Sequence, residues 1–286
     1  MKLSIVIPAY NEEQGIVSVL RELVAERDRL HADWEIILVN DGSKDRTAQL
    51  ARSVQGVTVI SHPYNKGYGA ALKTGIRAAS GEWCMTYDAD HQHTPNLVTA
   101  LLPHCTPEND MVVGKREGYQ GPWIRQPGKR LIAAVANYLT QQKIPDLNSG
   151  LRAFKRSQFL RFLHLFPNGF SLSTTSTVCF FKEHLNVIYV PITIQARVGK
   201  STVKMRDAVK TVMLIVRLIM LFSPLRIFLP AAVISGILAT ALLIYELVMF
   251  QNVSDSAVAL LSLTAILFFF GLLADQIAAI RRELHH

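Results

Sequence analysis

The first part of the chain alternates short apolar runs with stretches in which apolar positions recur every three or four residues. "LSIVIPAY" and "WEIILVND" are continuous in apolar residues and bounded by polar turns, so they read as buried strands. "VTVISH" and "EWCMTYDAD" repeat that pattern. Between these runs, "NEEQGIVSVLRELVAERDRL", "GSKDRTAQLARSV" and "KGYGAALKTGIRAA" carry helical periodicity, with Asn11 as the cap of the first and acids in its opening turn. Strands alternating with helices predict an α/β fold, a Rossmann-like and mostly parallel sheet with helices on both faces. "DMVVGKR" and "NVIYVPITIQA" predict later strands. "GKRLIAAVANYLTQQ" predicts a helix, and "LNSGLRAFKRSQFLRFLHLF" a turn followed by a helix.

The pattern then changes. Over residues 207–222, Lys210 and Arg217 stand seven positions apart on one helical face, with apolar residues around the rest. That predicts an amphipathic helix lying in a membrane interface. Residues 227–245 and 257–274 carry no charge, and each run is about the length that spans a bilayer. Pro230 and Gly236 do not oppose this, because neighbouring groups re-satisfy the backbone in membrane helices. The expected organisation is a catalytic-type domain over residues 1–204, an interfacial helix over 205–224 and a two-helix transmembrane domain over 225–280.

Composition sharpens this picture. The chain has 286 residues, half of them hydrophobic, and a net charge of +8. The excess sits beside the apolar runs: Arg197, Lys200, Lys204, Arg206, Lys210, Arg217 and Arg226 precede the first, and Arg281 and Arg282 follow the second. The link "ELVMFQNVSDS" has no Lys or Arg, so the positive-inside rule puts both ends in the cytoplasm and the link outside. The expected location is the cytoplasmic membrane, with two passes. "MKLSIVIPAY" enters a strand without a cleavage-site pattern, and no signal peptide is expected. Charge placed this way faces anionic headgroups, not nucleic acid, and no nucleic-acid recognition motif accompanies it. Cys84, Cys105 and Cys179 are odd in number and widely spaced, which fits buried free thiols and neither a disulfide framework nor a zinc site.

The candidate chemistry centres on "YDADHQ". Asp88 and Asp90 stand at the end of a buried strand, where like charges repel unless a cation lies between them. Hard oxygen ligands suit Mg2+ or Mn2+, and the Gln92 amide oxygen would join the shell. A pair of caps on the next helix is the plainer alternative. His91 and His93 are expected at the mouth of the site. "NDGSKDRT" brings Asp41 to the same sheet edge, as an acceptor for a base or ribose or as simple turn chemistry. In "NKGYGAALKTG", Gly67 and Gly69 either let backbone approach a ligand or only shape a turn.

The order of motifs is more specific than any one of them: "VIPAYNEE", "VNDGSKDRT", "NKGYGAALKTGI", "YDADHQ", "NSGLRAFKR", "RVGKS", then two apolar runs. It resembles family 2 glycosyltransferases of the GT-A fold, in the polyprenyl-phosphate group that includes dolichyl-phosphate mannose synthase. The motifs cover residues 3 to 204, and the tail resembles the two-span members. The resemblance implies transfer of one sugar, with inversion, from a UDP- or GDP-linked donor to a polyprenyl phosphate. It implies that Pro8, Tyr10, Glu12 and Asp41 line the nucleotide pocket, that Asp88 lies near ribose and metal, and that Asp90 and Gln92 ligate the metal. Arg116 and Arg130 resemble the family's lipid-phosphate clamps, and Arg197, Lys200 and Ser201 its mobile phosphate-binding segment. Asp146 is the candidate for a base or for positioning the acceptor, and a turn residue otherwise. His91 departs from the aliphatic residue usual between the second aspartate and the glutamine, which bears on sugar choice or on the metal site. A homo-oligomer is compatible with the two-span relatives.

Two other classes compete. A short polysaccharide-synthase relative would share the fold and aspartates but would carry Gln-x-x-Arg-Trp, which is absent here. A non-catalytic membrane protein that binds nucleotide sugars has less reason to keep Asp88, Asp90, Gln92 and Arg197 together.

Overall fold

The structure is a computed structural model that describes residues 2–117, 126–194 and 205–283. It divides into two compact units, Met1–Ala208 and Val209–His286.

The first unit is built on a seven-stranded sheet: β1 (Leu3–Ala9), β2 (Trp34–Asn40), β3 (Val57–Ser61), β4 (Trp83–Thr86), β5 (Met111–Arg116), β6 (Arg152–Lys155) and β7 (Val187–Ile192). Their spatial order is β3-β2-β1-β4-β6-β5-β7. The strands β1 to β4 pair in parallel, and β5 pairs in parallel with β7. Only β6 runs the other way, between β4 and β5. In this unit the helices are α1 (Ile16–Arg29), α2 (Thr47–Arg52), α3 (Tyr68–Ala78), α4 (Pro95–Leu101), α5 (Gln126–Thr140), α6 (Arg156–Arg161) and α7 (Leu172–Lys182).

The strand β1 is buried along its whole length, as expected of a parallel strand covered on both faces. Leu3, Ile5 and Ile7 join Ile16, Val19, Leu20 and Leu23 of α1 in the main core cluster. On the opposite face Val6 meets α3 so closely that a β-carbon on Gly75 would stand 2.3 Å from its Cγ1. Each such apolar side chain, fully buried, contributes about 1.5–3 kcal/mol. Register then fixes the functional edge: Ala9 faces Asn40 and Val6 faces Thr86, so Tyr10, Asp41 and Asp88 all leave the sheet at its carboxyl end.

Two expectations are corrected, and one helix lies where none was expected. Asn11 does not cap α1: the helix begins at Ile16 with no acid in its first turn, and the Asn11 side chain instead accepts the Lys44 amide at 2.9 Å. "RAFK" is a strand, not part of a helix, because Arg152–Lys155 pairs with both β4 and β5. The helix α7, in "LSTTSTVCFFK", lacks amphipathic patterning because it is buried from Leu172 through Phe180.

The second unit holds most of α8 (Met205–Phe222), then α9 (Leu225–Phe250) and α10 (Asp255–Glu283). The last two form an antiparallel hairpin. Small residues line their contact, with Ala232, Ser235 and Ala239 buried on α9, and the Thr264 hydroxyl donates to Ser235 Oγ at 2.9 Å. Only 11% of the most apolar stretch of α9 and 17% of that of α10 is buried. Ile234, Ile237, Phe269 and Ile277 are all more than 60% exposed, a surface that water would not tolerate over such a length.

Candidate functional site

A cavity of about 540 Å³ opens at the carboxyl edge of the sheet. It gathers Pro8, Tyr10, Glu12, Asp41, Gly67, Asp88, Asp90, Gln92 and Arg116, which the sequence had scattered over more than a hundred positions.

Asp41 is almost fully buried, and its carboxylate is already occupied. Oδ1 accepts the Lys66 amide at 2.9 Å and lies 2.7 Å from His62 Nδ1, while Oδ2 accepts the Gly67 amide at 2.8 Å. The far side of the His62 ring meets the Thr74 hydroxyl at 2.9 Å. Asp41 therefore fastens the loop that enters α3 to the end of β2. Gly67 takes φ +103°, and a β-carbon there would stand 2.5 Å from the Asn168 carbonyl, so only glycine fits.

Asp88 is placed from several directions. The Tyr68 hydroxyl donates to Oδ1 at 2.9 Å, and a β-carbon on Gly150 would come within 2.2 Å of Oδ2. Burial, then the Asp88 charge, raises the Tyr68 phenol well above its ordinary value, so it stays a donor. Its ring stacks on Phe170 with centroids 4.9 Å apart, and Phe170 is 81% exposed beside the cavity.

The two histidines are not a matched pair at the mouth. His93 is buried in the cavity wall and accepts the Asp88 amide at 3.4 Å. Burial lowers its pKa and favours the neutral ring. His91 is absent from the cavity lining. It adopts φ +59° and turns its ring onto the start of α1, where Nε2 lies 2.7 Å from the Ser18 hydroxyl. The departure at His91 thus braces the aspartate loop from behind and does not contact the cavity.

Arg116 lines the cavity and grips Asp146 through two charge-assisted bonds, Nε to Oδ2 at 2.7 Å and Nη2 to Oδ1 at 2.8 Å. The Arg116 and Asn148 amides also donate to that carboxylate. Burial alone would raise the Asp146 pKa, but the Arg116 hydrogen bonds and charge outweigh it and hold it below its ordinary value. Arg130 lies on α5, exposed and away from the cavity lining. Arg197, Lys200 and Ser201 lie outside the described residues.

Sequence reasoning missed Arg152. It is fully buried, and it donates to the Ser149 and Ser173 carbonyls and to the Ser176 and Thr177 hydroxyls. These bonds tie the Asn148–Gly150 turn to α7, and Asn148, Gly150 and Ser173 all line the cavity. Its only signal was a cation inside "GLRAF", a short apolar run.

Among the described residues no three His, Cys, Asp or Glu side chains gather into a closed metal cage. Asp88, Asp90 and Gln92 nonetheless offer hard oxygen donors to one cavity. That set fits a Mg2+- or Mn2+-like ion, which keeps waters and takes substrate phosphates as further ligands.

Residues 223–280 match the model for the GtrB C-terminal hairpin. Among curated proteins the chain is 33% identical over 168 residues to the undecaprenyl-phosphate 4-deoxy-4-formamido-L-arabinose transferase of Sodalis glossinidius (strain morsitans), covering 57% of this chain and 52% of that one. The enzyme of the same description from Pseudomonas fluorescens (strain SBW25) is 32% identical over 195 residues, 63% of this chain and 57% of the relative. The chain spans about half the length of the curated relatives it matches. Among solved structures, glucosyl-3-phosphoglycerate synthase from Mycobacterium tuberculosis, in complex with Mn2+, UDP and phosphoglyceric acid, superposes with a TM-score of 0.60 at 22% identity, over 76% of this chain and 77% of that one. This likeness shows a shared GT-A-type fold. Residues 4–164, from β1 past β6 and so most of the cavity's lining, match the model for glycosyl transferase family 2, and the chain belongs to that family.

Proposed function

We propose that this protein transfers a single sugar, with inversion, from a UDP- or GDP-linked donor to the phosphate of a membrane polyprenyl lipid. One observation carries the reading: Asp88, Asp90, Gln92 and Arg116 line a single cavity at the sheet's carboxyl edge. Ligands of open α/β sheets bind at that edge. The curated relatives, described as undecaprenyl-phosphate sugar transferases, support the same class of acceptor.

In this reading Pro8, Tyr10, Glu12, Asp41 and Gly67 form the nucleotide end of the cavity. Asp41 acts there mainly by holding the Lys66–Gly67 backbone in place. Asp88, Asp90 and Gln92 would hold Mg2+ or Mn2+, which would supply positive charge to the departing diphosphate. Arg116 brings a fixed cation to the same cavity, an electrostatic contribution that needs no reorganisation. A lipid phosphate is already anionic at neutral pH, so no strong base is required. Asp146, held ionised by Arg116, orients that guanidinium and is a poor proton acceptor. Arg130, Arg197, Lys200 and Ser201 are proposed to meet the acceptor phosphate.

The proposed architecture is a glycosyltransferase domain over residues 1–204, an interfacial helix over 205–224 and a hairpin over 225–280 that crosses the cytoplasmic membrane twice, with both ends inside. The outward apolar faces of α9 and α10 and the absence of Lys and Arg from the link support it.

The test is a panel of radiolabelled UDP- and GDP-sugars offered to the purified protein with undecaprenyl phosphate, with Mg2+ or Mn2+ and with a chelator. Metal-dependent label in the lipid phase from one donor is the expected result. Hydrolysis of a donor without lipid labelling would overturn the acceptor, and retention of donor without turnover would favour a binding protein.

A further inference from the structure

Among the described residues Phe170 is the most exposed large apolar side chain, ahead of every residue on α9 and α10. It does not stand on open surface, because it lines the sheet-edge cavity together with Asn148, Gly150 and Ser173. One face of its ring is fixed, stacked on Tyr68 at an interplanar angle of 21°. Folding has left most of the remaining surface in water, where burial would stabilise it. An exposed apolar surface at the rim of a cavity marks a ligand contact.

The segment that carries Phe170 is held in place. The Ala70 amide donates to the Asn168 carbonyl at 3.1 Å. The Lys73 ammonium donates to the Phe166 carbonyl at 2.5 Å and to Asn168 Oδ1 at 2.9 Å. A β-carbon on Gly69 would stand 2.5 Å from the Pro167 carbonyl oxygen. Gly67 and Gly69 thus admit the Pro167–Gly169 backbone against the start of α3, and that approach sets the ring beside Tyr68.

The surroundings decide what covers the ring. Tyr68 ties its other end to Asp88, hydroxyl to Oδ1 at 2.9 Å. The stack therefore stands beside the carboxylates proposed to hold the metal and, through it, the diphosphate. The group borne by that diphosphate is the sugar. An isoprene chain would need an apolar continuation, whereas Asp88, Asn148 and Ser173 share this cavity with Phe170. Asn148 Oδ1 accepts the Thr174 hydroxyl at 2.5 Å, and its NH2 group is the remaining donor. An aromatic face beside a few polar groups matches a pyranose, which has a C–H face and a rim of hydroxyls.

We propose that Phe170 is the platform on which the donor sugar lays its C–H face, with Asn148 and Ser173 meeting its hydroxyls, and that this contact selects and orients the sugar. The proposal rests on the reading of the sheet-edge cavity as a nucleotide-sugar site.

The test is titration calorimetry on the purified full chain with Mn2+, using UDP, GDP and the panel of UDP- and GDP-sugars as probes. Failure of every nucleotide sugar to bind the wild type would sink the donor reading, and the platform with it. For the nucleotide sugar that binds most tightly, Phe170→Ala should weaken binding about tenfold, the value of covering one aromatic face. The matching nucleoside diphosphate should bind Phe170→Ala as it binds the wild type, which also shows that Tyr68, Asp88 and the metal end are intact. Phe170→Tyr keeps the flat ring and should restore binding of the nucleotide sugar. Phe170→Leu keeps apolar bulk without the ring and should not. Equal weakening of nucleotide sugar and nucleoside diphosphate would place the ring at the base or metal end. Full recovery with Phe170→Leu, or a raised KM for undecaprenyl phosphate with donor binding unchanged, would give the ring to the lipid. Either result, or unchanged binding in Phe170→Ala, would overturn the platform and leave the donor reading standing.

Discussion

A β-carbon on Gly150 would stand 2.2 Å from Oδ2 of Asp88. The two residues come from different parts of the chain, the turn before β6 and the end of β4, and antiparallel pairing of those strands brings them together. The Thr86 hydroxyl secures the approach by donating to the Gly150 carbonyl at 2.5 Å. A methyl group at Gly150 must displace the carboxylate, whose atoms are the nearest to it. Gly150→Ala should therefore fold and yet lose about 100-fold in turnover, the scale of a 1 Å misplacement. Circular dichroism together with initial rates would check both halves of this expectation.

The brace behind the aspartate loop makes a second case. His91 rests on Ser18, and a β-carbon on Gly15 would lie 2.5 Å from His91 Cε1. Ser18→Ala removes two exposed hydrogen bonds, to the His91 ring and to the Gly15 carbonyl, and should cost about 1 kcal/mol of stability. Gly15→Ala instead pushes the ring, and with it the backbone between Asp90 and Gln92. The metal concentration giving half-maximal activity should rise in Gly15→Ala and stay near the wild-type value in Ser18→Ala. Equal values in all three proteins would show that the brace is not coupled to the site.

Arg116 and Asp146 should behave as a structural pair whose strength follows the ionisation of Asp146. Their side chains are 18% and 13% exposed, so screening is limited. Asp146→Asn should destabilise the first unit by about 2 kcal/mol, between the limits for surface and buried pairs. The folded-state pKa of Asp146 is depressed. Its contribution is therefore complete above the ordinary carboxylate value and disappears as pH falls through the folded value. Chemical unfolding of both proteins from neutral pH downward should show curves that converge in acid.

The cysteines offer a test that does not depend on the function. Burial pushes the Cys84 and Cys105 thiols up to about 12. Both should be protonated at neutral pH and react slowly with iodoacetamide in the native protein, then quickly in denaturant. Fast native labelling of Cys84 would contradict the packing of β4.

The sheet was readable because its strands are buried on both faces, which leaves unbroken apolar runs such as "LSIVIPA". The small strand β6 was not, since "RAFK" is four residues flanked by cations and continues directly into helix α6. Asp41, Asp88 and Asp90 were legible as carboxylates at strand ends. Their supports were not: His62, Tyr68 and Gly150 act only through contacts made at long sequence separation. The single-residue signal for His62 is its place at the end of β3, on the same edge as Asn40 and Asp41. The direction in which His91 points follows from its left-handed backbone, and no local pattern announces that.

The central claim is transfer of a sugar to a lipid phosphate through the cavity that holds Asp90. The most direct measurement follows a labelled donor into the organic phase with undecaprenyl phosphate or undecaprenol as acceptor, for the wild type and for Asp90→Asn. Label with undecaprenyl phosphate alone, lost in Asp90→Asn, is the predicted result. Label that ignores the acceptor's phosphate, or survives in Asp90→Asn, would contradict it.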